Sequence, residues 1–268
     1  MGEAIVITSG KGGVGKTTTS ANLGTALAIL GKRVCLVDTD IGLRNLDVVM
    51  GLENRIIYDL VDVVEGRCKM HQALVKDKRF DDLLYLMPAA QTSDKTAVAP
   101  EQIKTMVQEL KQEFDYVIID CPAGIEQGYK NAVSGADKAV VVTTPEISAV
   151  RDADRIIGLL EQEENIEPPR LVVNRIRNHL MKNGDTMDID EIVQHLSIDL
   201  LGIVADDDEV IKASNHGEPI AMDPKNRASI AYRNIARRIL GESVPLQVLE
   251  EQNKGMMAKI KSFFGVRS

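Results

Sequence analysis

The sequence predicts an α/β protein with a doubly wound, mainly parallel sheet flanked by helices, and three observations support this prediction. Short apolar runs, which are typical of buried parallel strands, alternate with segments of helical periodicity. Several of these runs end in an acid or an amide, at the edge where open parallel sheets bind their ligands. A glycine-rich loop joins the first apolar run to the first helical segment. Together these features favour an alternating β-α architecture.

The individual elements follow from local patterns. We predict strands at residues 4–7, 33–37, 83–87, 116–120, 139–143, 171–175 and 200–204. The first helical pattern stops before Gly31, since glycine commonly ends helices, and Pro100 suits the first turn of another helix. The acids at 206–209 are most simply the N-terminal cap of a helix in water. Helices are predicted at residues 17–30, 58–66, 70–75, from 100 onwards, 147–160 and 227–240.

The composition fits one large domain with a well-buried core. The chain has 268 residues, of which 44% are hydrophobic, and no run reaches the roughly 18 apolar residues of a membrane span. The formal net charge is -8, so the chain as a whole repels nucleic acid and any basic surface must be local. We expect a cytoplasmic protein with a main domain over residues 1–243, a linker over 244–253 and a C-terminal segment over 254–268.

Residues 10–18 match the phosphate-binding pattern G-x-x-x-x-G-K-[ST], and their place between a strand and a helix makes the match informative. The glycines let backbone N–H groups turn towards phosphates at the positive end of the following helix. Lys16 adds an ammonium group, and Thr17 offers a hydroxyl to Mg²⁺. A plain glycine-rich connection is the weaker alternative. We therefore predict that ATP is bound by Gly10, Lys11, Gly12, Gly13, Val14, Gly15, Lys16, Thr17 and Thr18.

Acids follow two of the predicted strands at the same edge as the loop. Asp120 ends the apolar run 116–119, which is the Walker B form, and it is the natural outer-shell partner of Mg²⁺. Asp38 and Asp40 follow another strand. One of them can hold a magnesium-bound water while the other orients an attacking water. A strand-end turn with solvated acids explains the same spacing.

A second lysine, Lys11, stands directly after Gly10. A K-G-G-x-G-K-T-T loop of this kind resembles that of the deviant Walker A ATPases, a family of P-loop NTPases. In that family the early lysine reaches across a nucleotide sandwich dimer to the phosphates of the partner subunit. The resemblance implies that Lys11 and Lys16 both act in catalysis and that hydrolysis requires a homodimer. A solvated loop lysine is the weaker alternative for Lys11.

The same resemblance assigns roles to residues of the two switch segments. It implies that Asp40 activates the attacking water, and that Asp38 belongs with Thr17 and Asp120 to the magnesium site. It also implies that Gly124, in the turn after the Walker B strand, approaches the γ-phosphate through its N–H. These roles come from the family likeness, because the spacing alone does not separate the two acids after the second strand.

Asn174 ends the predicted strand 171–175, and its amide can both donate to and accept from an adenine edge. The family uses an asparagine at this position for the base, so the resemblance implies the same role here. The chain departs from the family pattern at Ala205, where a proline is usual. That departure leaves the base contacts of residues 205–209 undefined.

The helix predicted over residues 147–160 has a polar face, and Glu146, just before the helix, belongs to the same surface. In the family members that place the division septum, this helix borders the dimer and partner-binding surfaces. The resemblance therefore implies a docking site for a MinC-like division inhibitor. A charged helix face is usually only solvated, which is the alternative. The predicted partner-binding residues are Glu146, Ser148, Asp152 and Asp154.

Residues 254–268 are predicted to form an amphipathic helix that targets a membrane. At about 100° per residue the large apolar side chains fall on one arc, with most of the lysines off it. The segment holds four basic residues and no acid, which favours an anionic bilayer surface. A docked core helix is the alternative. The predicted membrane-contacting residues are Met256, Met257, Ile260, Phe263 and Phe264.

These features lead to one predicted function and two rivals. We predict an ATP-dependent, dimerising ATPase, peripheral on the inner face of the cell membrane, that recruits the division inhibitor and helps to place the septum. Its spatial regulator is either MinE-like or a polar scaffold. The first rival is a ParA-type DNA-partition ATPase, against which the acidic balance counts. The second is an electron-transfer iron protein, which needs two cysteines per subunit at the dimer axis, whereas of the three cysteines here only Cys121 follows a switch.

Overall fold

An eight-stranded sheet runs through the part of the chain that the computed structural model describes, residues 1–94 and 96–246. The strands are β1 Glu3–Thr8, β2 Val34–Asp38, β3 Val75–Lys76, β4 Leu84–Met87, β5 Tyr116–Asp120, β6 Lys138–Thr143, β7 Arg170–Ile176 and β8 Asp199–Ala205. Their order across the sheet is β3-β4-β2-β5-β1-β6-β7-β8. All neighbours pair in parallel except β3 and β4. The predicted doubly wound, mainly parallel sheet is confirmed.

Helices connect the strands and cover the two faces of the sheet. They are α1 Lys16–Ile29, α2 Leu46–Met50, α3 Leu60–Val64, α4 Met70–Ala73, α5 Pro100–Glu113, α6 Gln127–Ser134, α7 Ile147–Leu160, α8 Asn178–Lys182, α9 Ile189–Leu196, α10 Asp208–Asn215 and α11 Arg227–Ile239. Single 3-10 turns lie at Glu53–Arg55, Lys78–Phe80 and Ile220–Met222. Sequence reasoning missed β3, α2, α6, α8 and α9, each of eight residues or fewer, because so short a segment carries little periodicity.

Two apolar cores lie on opposite faces of the sheet. One contains Val6 and the buried sides of α5, α6 and α7, and the other contains Ile7 and the buried sides of α1 and α11. Adjacent residues of β1 serve different cores because successive side chains of a strand point to opposite faces. Strands buried on both faces read as continuous apolar runs, which is why the sequence identifies them so readily. The carboxyl edge of the sheet is thereby held between two packed layers.

The last described residues stay close to the domain. Arg238 of α11 donates hydrogen bonds to the carbonyl oxygens of Val244, at 2.8 Å, and Pro245, at 2.7 Å. The predicted linker therefore begins in contact with α11. Residues 254–268, with every predicted membrane-contacting side chain, lie outside the described residues. Within residues 1–94 and 96–246, no helix combines the length and apolarity that crossing a membrane requires.

Candidate functional site

The glycine loop connects β1 to α1 at the carboxyl edge of the sheet, where β1 lies between β5 and β6. Gly13 and Gly15 have φ angles of 78° and 98°, a region that side chains rarely tolerate. A Cβ on Gly15 would also overlap the amide nitrogen of Asn174. That amide donates a buried hydrogen bond of 2.8 Å to the carbonyl oxygen of Val14. The loop is thus fixed from β7, with the N-terminus of α1 available for an anion.

Lys16 is the first residue of α1, and its side chain is turned inward. It is 7% exposed, and its Nζ donates to Ser9 Oγ at 3.0 Å. Ser9 Oγ in turn donates to the carbonyl oxygen of Lys11 at 2.8 Å. The ammonium group is therefore held on the inner side of the loop, where a phosphate-loop lysine acts.

Asp120, at the end of β5, faces the first turn of α1. Its Oδ1 accepts a hydrogen bond of 2.7 Å from Ser20 Oγ, and the Thr17 hydroxyl also bonds its side chain. Burial raises the pKa of Asp120, while Ser20, Thr17 and Lys16 oppose that rise. Sequence reasoning missed Ser20, because the loop pattern specifies no residue beyond the Lys-Thr pair.

Asp38 lies directly beside Asp120, since the two residues are partners in the parallel register of β2 and β5. Asp38 is 1% exposed, and its carboxylate accepts from the N–H groups of Asp40, at 2.9 Å, and Leu46, at 3.2 Å. Burial and then the charge of Asp120 raise the pKa of Asp38. Two buried carboxylates side by side repel each other, and a divalent cation relieves that repulsion. Together with Thr17, this oxygen-rich pair fits Mg²⁺.

Asp40 is half-buried and begins the turn that follows β2. Its charge raises the pKa values of both Asp38 and Asp120, so its side chain lies within electrostatic range of the pair. Between the two predicted acids, Thr39 donates from Oγ1 to the carbonyl oxygen of Asp120 at 2.6 Å. Thr39 therefore ties the first switch to the Walker B strand. No local sequence pattern indicates this contact, which depends on strand pairing.

The second switch is the turn of residues 121–126. Gly124 has a φ of 96°, and no atom lies within 4 Å of the place where its Cβ would be. Among residues 1–94 and 96–246, its two chain neighbours aside, the need for glycine there is therefore conformational and does not arise from crowding. Cys121 is buried, and burial raises the pKa of its thiol to about 12. A protonated, enclosed thiol is a packing group.

A cavity of about 210 Å³ opens beside Gly15, between β7 and α10, and is lined by Asn174, Arg175, Ala205 and Tyr232. Arg175 has a φ of 54° at an irregularity in the pairing of β7 with β8. Such a bulge redirects neighbouring side chains and is common next to ligand sites. Asn174 uses one amide hydrogen for the loop, which leaves a donor and an acceptor for a planar ligand edge.

Helix α10 forms the opposite wall of this cavity. Its N-cap is Asp207, whose side chain accepts from the N–H of Glu209 at 2.9 Å and from Asn226 Nδ2 at 2.9 Å. The predicted cap at residues 206–209 is confirmed. Tyr232 also lines the cavity, from α11, and sequence reasoning missed it because it read that helix only as a core element.

The start of α7 lies against the glycine loop. Lys11 Nζ donates to Ser148 Oγ at 2.9 Å, and a Cβ on Gly10 would overlap the carbonyl oxygen of Asp152. Glu146, Ser148 and Asp154 are exposed as predicted, but Asp152 is half-buried because the loop packs on it. Arg151 and Arg155, which the sequence analysis did not single out, are exposed on the same helix, so this surface carries both charges.

A second cavity, of about 310 Å³, borders the outer side of the loop. Three cations, Lys11, Arg175 and Arg177, line it together with Glu146. Arg177 is paired with Asp206 at 2.6 Å. Cations grouped around backbone N–H groups suit a phosphate-bearing ligand. The two cavities therefore adjoin different residues of the same glycine loop, and both are bordered by Arg175.

Comparisons with known proteins show the family to which the chain belongs. Residues 5–220 match the family model described as the CobQ/CobB/MinD/ParA nucleotide binding domain. Over 268 residues the chain is 99% identical to the septum site-determining protein MinD of Bacillus subtilis (strain 168), with 100% of both chains covered. The chain belongs to the MinD family of septum site-determining ATPases. The predicted membership of the deviant Walker A ATPases is thereby confirmed.

Solved structures of the MinD family share the fold. The MinC:MinD cell division protein complex of Aquifex aeolicus gives a TM-score of 0.85 at 49% identity, covering 92% of this chain and 99% of that chain. The MinD protein of Pyrococcus horikoshii OT3, complexed with Mg-ADP, gives 0.80 at 27% identity, covering 89% of this chain and 96% of that one. The predicted P-loop ATPase fold is confirmed by these likenesses.

Proposed function

We propose that the chain binds ATP with Mg²⁺ at the glycine loop and hydrolyses it as a homodimer on the membrane surface. The observation that carries this proposal is the pairing of two buried carboxylates, Asp38 and Asp120, opposite Thr17 and the inward-turned Lys16. This arrangement is costly without a cation and suits a magnesium-bound triphosphate. The Mg-ADP held by the Pyrococcus horikoshii relative supports the same assignment.

Each residue then has a distinct task. Lys16 and the loop N–H groups bind the phosphates, while Thr17, Asp38 and Asp120 hold the Mg²⁺ and its water ligands. Bound Mg²⁺ neutralises developing charge on the phosphoryl oxygens. Asp40 orients the attacking water and accepts its proton. Gly124 brings its N–H to the γ-phosphate. The turn has a positive φ at this residue, which glycine adopts without strain.

We assign the base to the 210 Å³ cavity, where Asn174 offers a donor and an acceptor beside the loop that it fixes. We assign the phosphates of a partner subunit to the side of the loop that carries Lys11. In the structure Lys11 is bonded to Ser148 of its own chain, so it must leave that serine to reach a second nucleotide. Dimerisation would therefore change the surface at the start of α7.

That surface is our proposed docking site for a MinC-like division inhibitor. The Aquifex aeolicus relative was solved as a MinC:MinD complex, which supports recruitment of such an inhibitor. Glu146, Ser148 and Asp154 are exposed there, beside Ile147, which is 59% exposed. The Ile147 side chain adds apolar area that a protein partner could cover. A spatial regulator, either MinE-like or a polar scaffold, would then set where the complex forms.

Light scattering and capture experiments test this function. The full chain is measured with Mg²⁺ and either ATP or ADP, and is then immobilised and offered purified MinC or duplex DNA. A mass that doubles with ATP only, with MinC retained by that form, supports the proposal. Retention on DNA that falls steeply with salt would instead favour the ParA-type partition ATPase. Equal mass and equal MinC retention with ATP and ADP would overturn the ATP-dependent step.

A further inference from the structure

Arg79 lies on the 3-10 turn after β3, away from the glycine loop, and joins the ends of two helices. Its Nη2 donates to the carbonyl oxygen of Met50 at 2.6 Å, and its Nη1 donates to that of Gly217 at 2.9 Å. Met50 is the last residue of α2, and Gly217 follows the cap of α10. One guanidinium thus stabilises the carboxyl ends of both helices, where the helix dipole favours a cation.

The guanidinium itself is held in place by a buried acid. Arg79 Nε and Nη2 donate to the carboxylate of Asp77 at 2.7 to 3.1 Å, and Asp77 is 1% exposed. The same carboxylate accepts from the N–H of Arg79 at 3.0 Å. The planar fork of arginine can bond a carboxylate and two carbonyls at once in a fixed geometry, whereas the ammonium of a lysine is a point charge on a flexible stem. Arg79 is therefore a fixed bridge between the two helix ends.

The two helix ends also touch each other through glycines. Gly51 and Gly217 have φ angles of 65° and 68°. A Cβ on Gly51 would lie 2.7 Å from the carbonyl oxygen of Gly217, and a Cβ on Gly217 would overlap the Cα of Gly51. Backbone therefore rests directly on backbone, with no flexible side chain between them. A shift of one helix end is transmitted to the other.

The far parts of the two helices reach different halves of the nucleotide site. Helix α2 starts at Leu46, whose N–H bonds the carboxylate of Asp38 at 3.2 Å. Helix α10 contributes Val210 and Ser214 to the wall of the 210 Å³ cavity. The path from the cavity to Asp38 therefore runs along α10, across the Arg79 bridge and along α2.

We propose that Arg79 is a positioning residue that couples occupancy of the base cavity to the placement of Asp38. It acts through α2 and α10 and contacts neither the base nor the phosphates. A base bound against α10 fixes that helix, the bridge fixes α2, and the N–H of Leu46 then holds the Asp38 carboxylate. This inference rests on the base assignment made under Proposed function.

Hydrogen exchange tests whether the base or the phosphates of the nucleotide order residues 44–50. The full chain with Mg²⁺ is compared in ADP and in pyrophosphate, which occupies the loop without filling the cavity. In the wild-type chain ADP is expected to protect the amides of residues 44–50 more than pyrophosphate does. In Arg79→Met that difference is expected to vanish, while ADP still protects α10.

Affinity provides the second measurement. Arg79→Met should lower the affinity for ADP by about fivefold or more and leave the affinity for pyrophosphate nearly unchanged, because only base binding gains from the coupling. Arg55→Met is the matched control, since Arg55 is exposed and its one hydrogen bond to another described residue goes to the carbonyl oxygen of Lys76, at 3.4 Å. Gly217→Ala should reproduce the loss of coupling without changing any charge, and it serves as the test if Arg79→Met does not fold.

The outcomes distinguish the two proposals. Base-dependent protection of residues 44–50 that survives in both Arg79→Met and Gly217→Ala would overturn the coupling and leave the base assignment intact. Equal loss of ADP and pyrophosphate affinity in Arg79→Met would show general damage and also overturn it. A wild-type chain that binds ADP no more tightly than pyrophosphate would contradict the base assignment itself.

Discussion

Lys11 donates a hydrogen bond of 2.9 Å from its Nζ to Ser148 Oγ within one chain. The sequence assigned these two residues to different contacts, Lys11 to a partner's phosphates and Ser148 to a division inhibitor. In this structure the two side chains are hydrogen-bonded to each other, and neither makes the contact predicted for it. Formation of the nucleotide dimer is therefore expected to release the serine at the same moment as it engages the lysine, which links catalysis to docking.

The two loop lysines should give different defects when removed. Lys16→Ala should abolish ATP binding, because Lys16 lies under its own loop and is held inward by Ser9. Lys11→Ala should still bind nucleotide but remain a monomer with ATP, since its ammonium lies on the outer side. Calorimetry gives the binding and light scattering gives the mass. Normal dimerisation and hydrolysis by Lys11→Ala would contradict the sandwich mechanism.

Asp40→Ala should still bind ATP and form the dimer, but its rate of ATP hydrolysis should fall by about 10²-fold or more. A group that orients water acts on the transition state and contributes little to ground-state binding. Quenched-flow turnover and equilibrium ATP binding are measured on the same preparation. Asp154→Ala, which removes an exposed acid of α7, is the control. If ATP affinity fell as far as turnover, Asp40 would instead be a magnesium or structural residue.

The raised pKa of Asp38 predicts that the stability of the ligand-free chain depends on pH. Its pKa is raised by burial and by Asp120, so the folded state favours the protonated acid relative to the unfolded state. That contribution is fully present below the ordinary aspartate pKa of about 3.9 and is lost as pH rises from there through the raised pKa. Thermal unfolding from mildly acidic to mildly alkaline pH should therefore show a falling midpoint.

Asp38→Asn is the variant that isolates this effect. The amide cannot ionise, so the midpoint should fall less with pH, even if one of the two hydrogen bonds to Asp40 and Leu46 is lost. Mg-ADP should flatten the wild-type slope by compensating the carboxylates. An identical slope in the wild type and in Asp38→Asn would show that other groups cause the pH dependence.

The sequence predicts the strands and the glycine loop at the carboxyl edge of the sheet because their signals are local. The glycine loop, the acid at the end of β5 and the buried strands are each visible within about ten residues. Contacts between distant segments were missed for the opposite reason. Ser20 meets Asp120 and Thr39 meets its carbonyl only because β2, β5 and α1 come together in the fold. No pattern around Arg79 indicates the two helix ends that it joins.

The segment 254–268 gives the last prediction, which concerns membrane binding. Its apolar arc should insert into an anionic bilayer, with the basic residues near the lipid head groups. Ordering the segment costs conformational entropy, so one copy binds weakly, whereas a dimer presents two copies and gains by avidity. ATP should therefore drive the full chain onto vesicles, and hydrolysis should release it.

Vesicle sedimentation tests this coupling with a control that depends on helical phase. Phe263→Asp places a charge on the apolar arc and should abolish ATP-dependent pelleting with anionic vesicles. Ser262→Asp places the same charge off the arc, so it should weaken pelleting only through repulsion from the lipid. Neutral vesicles should retain little protein in either nucleotide. Equal pelleting with ATP and ADP would break the link between the dimer and the membrane, and equal effects of the two substitutions would rule out an amphipathic helix.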